Sequence, residues 1–167
     1  VVMVGGVEKQ TEYPTRIVSK ALAQAADAEY ELFHGISFTG LNALVMRMYM
    51  NEYNVSRDEM SIWPVLMHKN AVKNPYAQLR FEVTKEQVAK SMVVADPIRL
   101  LDSSPIGDGA SALILASDRV AKKLTDTPVE VAGLGMATDH IYVAYRENLL
   151  SFEATILAAK KAYGMAR

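Results

Sequence analysis

One segment of the chain combines side chains that could hold a ligand with glycines that let a backbone approach it closely. Ser104 precedes a turn that contains Gly107, Asp108 and Gly109. The glycines permit unusual backbone dihedrals, the carboxylate can accept hydrogen bonds from backbone N–H groups, and the serine presents a hydroxyl. The small, apolar segment 110–116 that follows predicts a buried strand. The hydroxyl is therefore expected at a strand mouth, where α/β folds gather ligands.

Few other residues could do catalytic chemistry. The chain has three histidines, His34, His68 and His140, and no cysteine. None of the three has an aspartate or glutamate at a spacing typical of general-base catalysis, so we interpret each as a surface or helix-end residue. No metal-ligand spacing occurs, and the Gly5-Gly6 turn lacks the glycine spacing of a nucleotide-binding loop. The residues themselves predict no catalytic residue and no metal ligand.

Composition and charge limit the class of protein and its partners. With 167 residues and 50% hydrophobic residues, the chain can build a core. A formal net charge of -1 provides no excess of cations for a phosphate backbone, so nucleic acid is not an expected partner. The apolar runs are far shorter than the roughly 20 residues of a membrane-spanning helix, and no signal-peptide pattern opens the chain. We expect a cytoplasmic protein with no membrane partner.

The elements that would position these residues are predicted as mixed α and β. Apolar periodicity predicts helices over 16–28, 40–53, 56–72, 84–91, 117–124 and 151–162. Buried strands are predicted at 1–4 and 110–116, and an alternating strand at 128–134. Ser56 and Thr84 are each followed three residues later by Glu or Gln, which predicts two capping boxes. Gly164 is expected to stop the last helix, and the helix-rich stretch from 12 to 97 indicates a lid region.

Residues 68–78 permit two interpretations. They combine amides, the Asn74-Pro75 turn and the Tyr76 hydroxyl, a set suited to fixing a loop around a ligand. The same residues also fit a capped helix end, and the spacing alone favours that structural interpretation.

Several segments resemble, in order and spacing, the thiolase superfamily. The segments are the Gly-Gly-x-Glu turn at 5–8, residues 40–59, the Asp-Gly-Ala-x-Ala motif at 108–112, Ala-Gly-Leu-Gly at 132–135 and the helix at 146–162. Lys-Asn-Ala at 69–71 and Asn-Pro-Tyr-Ala-Gln at 74–78 are similar to the archaeal and sterol-carrier-protein branch in particular. The resemblance covers almost the whole chain, but only the central part of a family member.

The resemblance implies an α/β fold of five αβαβα layers, present here as a partial fold with a helical loop domain. Residues 1–11 would end the N-terminal thiolase half, and 12–97 would form the loop region that covers coenzyme A (CoA). Residues 98–127 would return to the N-terminal half, and 128–167 would begin the C-terminal half.

The resemblance also implies an acyl-CoA thiolase, which condenses two acetyl-CoA molecules to acetoacetyl-CoA or runs the reverse. No covalently bound cofactor is expected, and a CoA thioester is the substrate. Ser104 aligns with a serine whose hydroxyl contacts the pantetheine arm of CoA, although Pro105 stands where many relatives have glycine. The family's first catalytic cysteine would lie upstream of Val1, and its Gly-His-Pro and Cys-x-Gly motifs downstream of Arg167. None of the three histidines matches these motifs, so this segment alone is expected to be inactive.

Partners and alternatives follow from the same resemblance. A homodimer or homotetramer is expected. Archaeal relatives of this branch also work beside 3-hydroxy-3-methylglutaryl-CoA synthase, bridged by a small zinc-ribbon and OB-fold protein. Two alternatives stay open at this point, namely a non-catalytic thiolase-like subunit or scaffold, and a split enzyme whose other chains carry the cysteines.

Overall fold

A computed structural model describes residues 1–167, which form two compact units. The strand unit comprises Val1–Glu12, Gly107–His140 and Ser151–Arg167, and the helical unit comprises Tyr13–Ile106 and Ile141–Leu150. In chain order the elements are β1 (Val2–Glu8), α1 (Thr15–Ala23), α2 (Phe38–Glu52), α3 (Arg57–Met60), α4 (Ile62–Ala71), α5 (Lys85–Lys90), β2 (Val93–Ala95), β3 (Ile98–Arg99), β4 (Gly109–Leu115), α6 (Asp118–Leu124) and α7 (Glu153–Met165). This mixture of helices and strands confirms the predicted α/β class.

The strand unit contains one antiparallel pair of strands. β1 pairs with β4 in a register that sets Val2 opposite Leu115 and Glu8 opposite Gly109. The positions of both strands match the sequence prediction, but the predicted burial is wrong, because every residue of both strands is exposed. The two strands form a ribbon without a third strand, and no layer of side chains covers either face.

The strand predicted at 128–134 is not formed. A strand requires a hydrogen-bonded neighbour, and neither two-stranded sheet of the chain includes this segment. Residues 126–140 instead have no regular hydrogen-bonded structure. The alternation of apolar residues therefore predicted a strand for which this chain supplies no partner.

Two glycines bring this irregular segment directly onto α7. A Cβ at Gly133 would overlap the backbone of Ala162, and a Cβ at Gly135 would overlap the backbone of Ala158. Only a residue without a side chain allows this approach. The Ala-Gly-Leu-Gly motif thus seats the chain on the last helix.

The helices agree with the sequence in position, and two of them differ in their limits. The helix predicted over 56–72 is divided at Ser61 into α3 and α4. Pro64 explains the division, because inside one continuous helix its ring would clash with the carbonyl four residues earlier, whereas the first turn of a new helix tolerates it. The last helix passes through Gly164 to Met165, so the predicted stop at this glycine is wrong. None of the helices has the length and apolar character that crossing a membrane requires.

Both predicted capping boxes are confirmed. The Ser56 hydroxyl accepts a hydrogen bond from the Glu59 N–H at 3.2 Å, and the Glu59 carboxylate accepts one from the Ser56 N–H at 2.7 Å. Hydrogen bonds from the side chain and then the backbone of Ser56 lower the pKa of Glu59. Thr84 and Gln87 make the equivalent reciprocal pair at the start of α5.

The buried residues all lie in the helical unit. The apolar ones are small, namely Val18, Ala23, Ala26, Ala43, Val83 and Val88. Three polar residues, Glu31, Ser61 and His68, are buried with them, and each makes hydrogen bonds within the unit. Because small side chains remove little apolar area from water, these polar contacts matter more to the unit than they would in a larger core.

The buried Glu31 carboxylate joins two segments that are distant in sequence. Its Oε1 accepts a hydrogen bond from the Val143 N–H at 3.0 Å, and its Oε2 accepts one from the Asp27 N–H at 2.9 Å. Beside it the ring of Tyr30 stacks on Tyr142, with ring centroids 5.3 Å apart. Both carboxylate oxygens are therefore needed to satisfy backbone donors.

We expect Glu31→Gln to destabilise the protein by about 1–3 kcal/mol, since the amide nitrogen of glutamine cannot accept and one buried donor loses its partner. Glu29→Gln is the matched control, because Glu29 lies in the same turn and is exposed. Urea unfolding of both variants measures the effect. Equal stabilities of the two variants would show that the Glu31 contacts contribute nothing.

Candidate functional site

Ser104 is exposed on the helical unit. A short 3-10 turn, Leu100–Asp102, precedes it, and the backbone becomes extended at Ser103. The Ser104 hydroxyl makes no hydrogen bond within the chain, so it can bond to a ligand without first breaking a contact. β4 begins five residues later at Gly109. Contact between this serine and CoA stays a prediction.

An arginine of α3 holds the turn that precedes Ser104. Arg57 pairs through Nη2 with the Asp102 carboxylate, and it donates from Nη1 to Ser61 Oγ at 2.9 Å and from Nε to the Pro97 carbonyl at 3.0 Å. The paired side chains are only 19% and 12% exposed. The guanidinium thus joins α3, the start of α4, the β2–β3 turn and the 100–102 turn.

The Asp102 carboxylate has a second partner that shapes the turn itself. Its Oδ2 accepts a hydrogen bond from the Arg99 N–H at 2.7 Å. Arg99 in turn donates from Nη1 to the Ser91 carbonyl at 2.9 Å, beyond the end of α5. The sequence analysis missed this network, because Arg57 and Asp102 are 45 residues apart and no local spacing connects them. The available signal was Asp102 itself, an acidic residue two positions before the candidate serine.

Asp108 fixes the chain at one end of the β1–β4 pair. Its Oδ1 accepts hydrogen bonds from the N–H groups of Gln10 and Thr11 at 2.8 and 3.0 Å, and its Oδ2 accepts one from the Thr11 hydroxyl at 2.6 Å. Asp108 was expected to bind N–H groups of its own turn, but its donors belong to the segment that follows β1. Asp108 acts as a structural clamp in the strand unit.

These contacts change the acidity of Asp108. The hydrogen bond from the Thr11 side chain, followed by the one from the Thr11 backbone, lowers the pKa of the carboxyl below its usual value. The Gln10 N–H and the charge of Lys9 act in the same direction. Asp108 is thus held as an acceptor of hydrogen bonds, which does not suit a proton donor.

The histidines have separate surroundings. His34 is exposed and packs edge-to-face on the neighbouring Phe33 ring. His68 lies in the last turn of α4, but it is buried, so its expected surface position is wrong. Its Nδ1 is 3.1 Å from the Phe81 carbonyl oxygen, which assigns the ring a structural contact. The structure has no group of three or more His, Asp or Glu side chains that could hold a metal ion.

Residues 68–78 form a turn held by their own atoms. The Asn74 side-chain oxygen accepts a hydrogen bond from the Tyr76 N–H at 3.0 Å, which is an Asx turn, and Arg80 donates to the Pro75 carbonyl at 3.3 Å. α4 ends before this turn, at Ala71. The geometry supports the structural interpretation of the segment, and the Tyr76 side chain points into solvent.

Comparison with known proteins identifies what this geometry is similar to. Residues 1–119 match the family described as "Thiolase, N-terminal domain". The chain is 43% identical over 168 residues to "Acetyl-CoA acetyltransferase" of Methanocaldococcus jannaschii, which covers 99% of this chain and 42% of that protein. It is 34% identical over 102 residues to "Sterol carrier protein 2" of Homo sapiens, covering 58% of this chain and 18% of that protein.

A solved structure shares the fold. The complex titled "Ltp2-ChsH2(DUF35) aldolase" contains a chain that superposes with a TM-score of 0.77 over 98% of this chain and 44% of its own length. Its sequence identity is 21%, so the likeness concerns the fold alone. The chain spans about two fifths of the length of the archaeal relative, whose covered share is 42%.

We expect the Asp108 clamp to stabilise the protein most above pH 3.8, the ordinary value for the free carboxyl, because folding favours its ionised form. This contribution should decline as the pH falls through the lower pKa of the folded state. Asp108→Asn should therefore be less stable than the parent at neutral pH, with a difference that narrows in acid. Chemical unfolding at a series of pH values measures this. Asp126→Asn, which changes an exposed carboxylate of the same unit, is the control, and a pH-independent difference for Asp108→Asn would contradict the clamp.

Proposed function

The chain belongs to the thiolase family, and we propose that the protein containing it is an acyl-CoA thiolase of the acetyl-CoA acetyltransferase type. The observation that carries the proposal is the 43% identity along 99% of the chain to an archaeal protein of that name. The substrates would be CoA thioesters. The reaction would join two acetyl-CoA molecules into acetoacetyl-CoA and free CoA, or run in reverse.

The reverse reaction defines what the complete protein must supply. A cysteine thiolate attacks the ketone carbon of acetoacetyl-CoA, and the carbon–carbon bond breaks to give an acetylated cysteine and the carbanion of acetyl-CoA. An acid protonates the carbanion, and the thiolate of free CoA then takes the acetyl group from the cysteine. This chain has no cysteine. We therefore propose that the nucleophile, the activating histidine and the second cysteine lie in parts of the protein outside this segment.

Within this segment the proposed role is binding. The exposed Ser104 hydroxyl, which makes no hydrogen bond within the chain, supports its assignment as a donor or acceptor for the pantetheine arm of CoA. Residues 12–97 would cover the bound CoA. Pro105 lacks an N–H, so any bond from this loop to the ligand must come from the serine hydroxyl or from other residues.

Partners are part of the proposal. A homodimer or homotetramer is proposed from the family, and so are 3-hydroxy-3-methylglutaryl-CoA synthase and a small zinc-ribbon and OB-fold bridging protein. The solved structure of the same fold is titled as an assembly of Ltp2 with ChsH2(DUF35), which supports a second component in kind. We place the protein in the cytoplasm.

The complete protein should cleave acetoacetyl-CoA in a manner that depends on free CoA, and Ser104→Ala should raise the KM for CoA about fivefold with little change in kcat. The loss of one hydrogen bond of about 1 kcal/mol gives this factor. Loss of the acetoacetyl-CoA absorbance, followed over a range of CoA concentrations, measures both constants.

Ser19→Ala is the matched control for this assay, since Ser19 is an exposed serine on α1 of the same unit. An unchanged KM for Ser104→Ala would contradict the assigned contact. Complete absence of turnover in the parent protein would instead favour a non-catalytic thiolase-like subunit.

A further inference from the structure

We propose that Arg57 and Asp102 are positioning residues that set the place of the Ser104 hydroxyl and thereby the affinity for CoA. The inference rests on the proposed function for its ligand, while its geometry comes from the helical unit alone. Neither side chain needs to touch the ligand.

The first step is the geometry of the pair. The Arg57 guanidinium bonds to a carboxylate, a hydroxyl and a carbonyl at once, through three different nitrogens. A planar guanidinium can maintain these fixed directions, whereas a lysine ammonium can replace only part of the set. Both paired side chains are largely withdrawn from water, so the pair is weakly screened and its geometry is well defined.

The second step carries this geometry to the serine. Asp102 closes the turn by accepting from the Arg99 N–H, and the Ser103 N–H donates to the Leu100 carbonyl at 3.2 Å. The Ser103 hydroxyl also lies 3.4 Å from the Arg99 carbonyl oxygen, to which it donates. Each residue from 99 to 103 is thus tied to its neighbours, and Ser104 is the next residue of the chain. A shift of Asp102 must therefore move Ser104.

The third step excludes a general surface effect. The helical unit has a second arginine–aspartate pair, Arg47 with Asp96, which joins α2 to the β2–β3 turn. Its side chains are 53% and 69% exposed. Exposed pairs contribute little to stability or position. This pair provides a matched control of the same chemistry in the same unit.

The test measures the affinity of the complete protein for CoA itself, by calorimetry, together with hydrogen exchange of the peptide spanning 99–106. Asp102→Asn should weaken CoA binding by about threefold to fivefold and accelerate exchange in this peptide, and Asp96→Asn should do neither. In a Ser104→Ala background, Asp102→Asn should cause no further loss of affinity, because its effect acts through the serine hydroxyl.

Additive losses in the double variant, or unchanged exchange in Asp102→Asn, would overturn the inference. If Asp102→Asn does not fold, Arg57→Lys provides the same comparison, since it keeps the charge but loses the contacts to Ser61 and Pro97. Turnover without this coupling would overturn the inference and leave the proposed thiolase intact. Coupled CoA binding without any acyl transfer would do the opposite, and no CoA binding at all would contradict both.

Discussion

Polar contacts between segments that are distant in sequence hold this structure, because its buried apolar residues are few and small. The helical unit buries only valines and alanines among its apolar residues, and the strand unit buries none. Arg57 with Asp102, the Glu31 carboxylate and the Asp108 clamp each connect segments across 45 or more residues of chain. In a buried setting such contacts fix direction as well as distance, since each group has a limited set of hydrogen-bonding directions.

The same contacts prepare the candidate site. A serine hydroxyl binds a ligand usefully only if its backbone is already in place, because ordering a loop on binding costs conformational entropy. The turn before Ser104 is tied by Asp102 and Ser103, while the serine itself stays exposed and unbonded. The segment thus supplies a preorganised binding surface, and the thiolase chemistry is assigned to residues outside it.

The sequence predicted the features that depend on neighbouring residues and missed those that depend on distant ones. The capping boxes at Ser56 and Thr84 are local patterns and are confirmed. The burial of β1 and β4 and a strand at 128–134 require neighbouring layers or strands, which local alternation cannot reveal. The Arg57–Asp102 pair was likewise invisible, although the family was recognisable from short motifs such as Asp-Gly-Ala at 108–110.

The most direct test of the thiolase assignment is the intact mass of the complete protein after incubation with acetyl-CoA and denaturation in acid, which preserves a cysteine thioester. We expect a gain of one acetyl group per chain that disappears when free CoA is added before denaturation. An unchanged mass, in a preparation shown to bind CoA, would contradict covalent acyl transfer and leave the protein as a CoA-binding thiolase-like subunit.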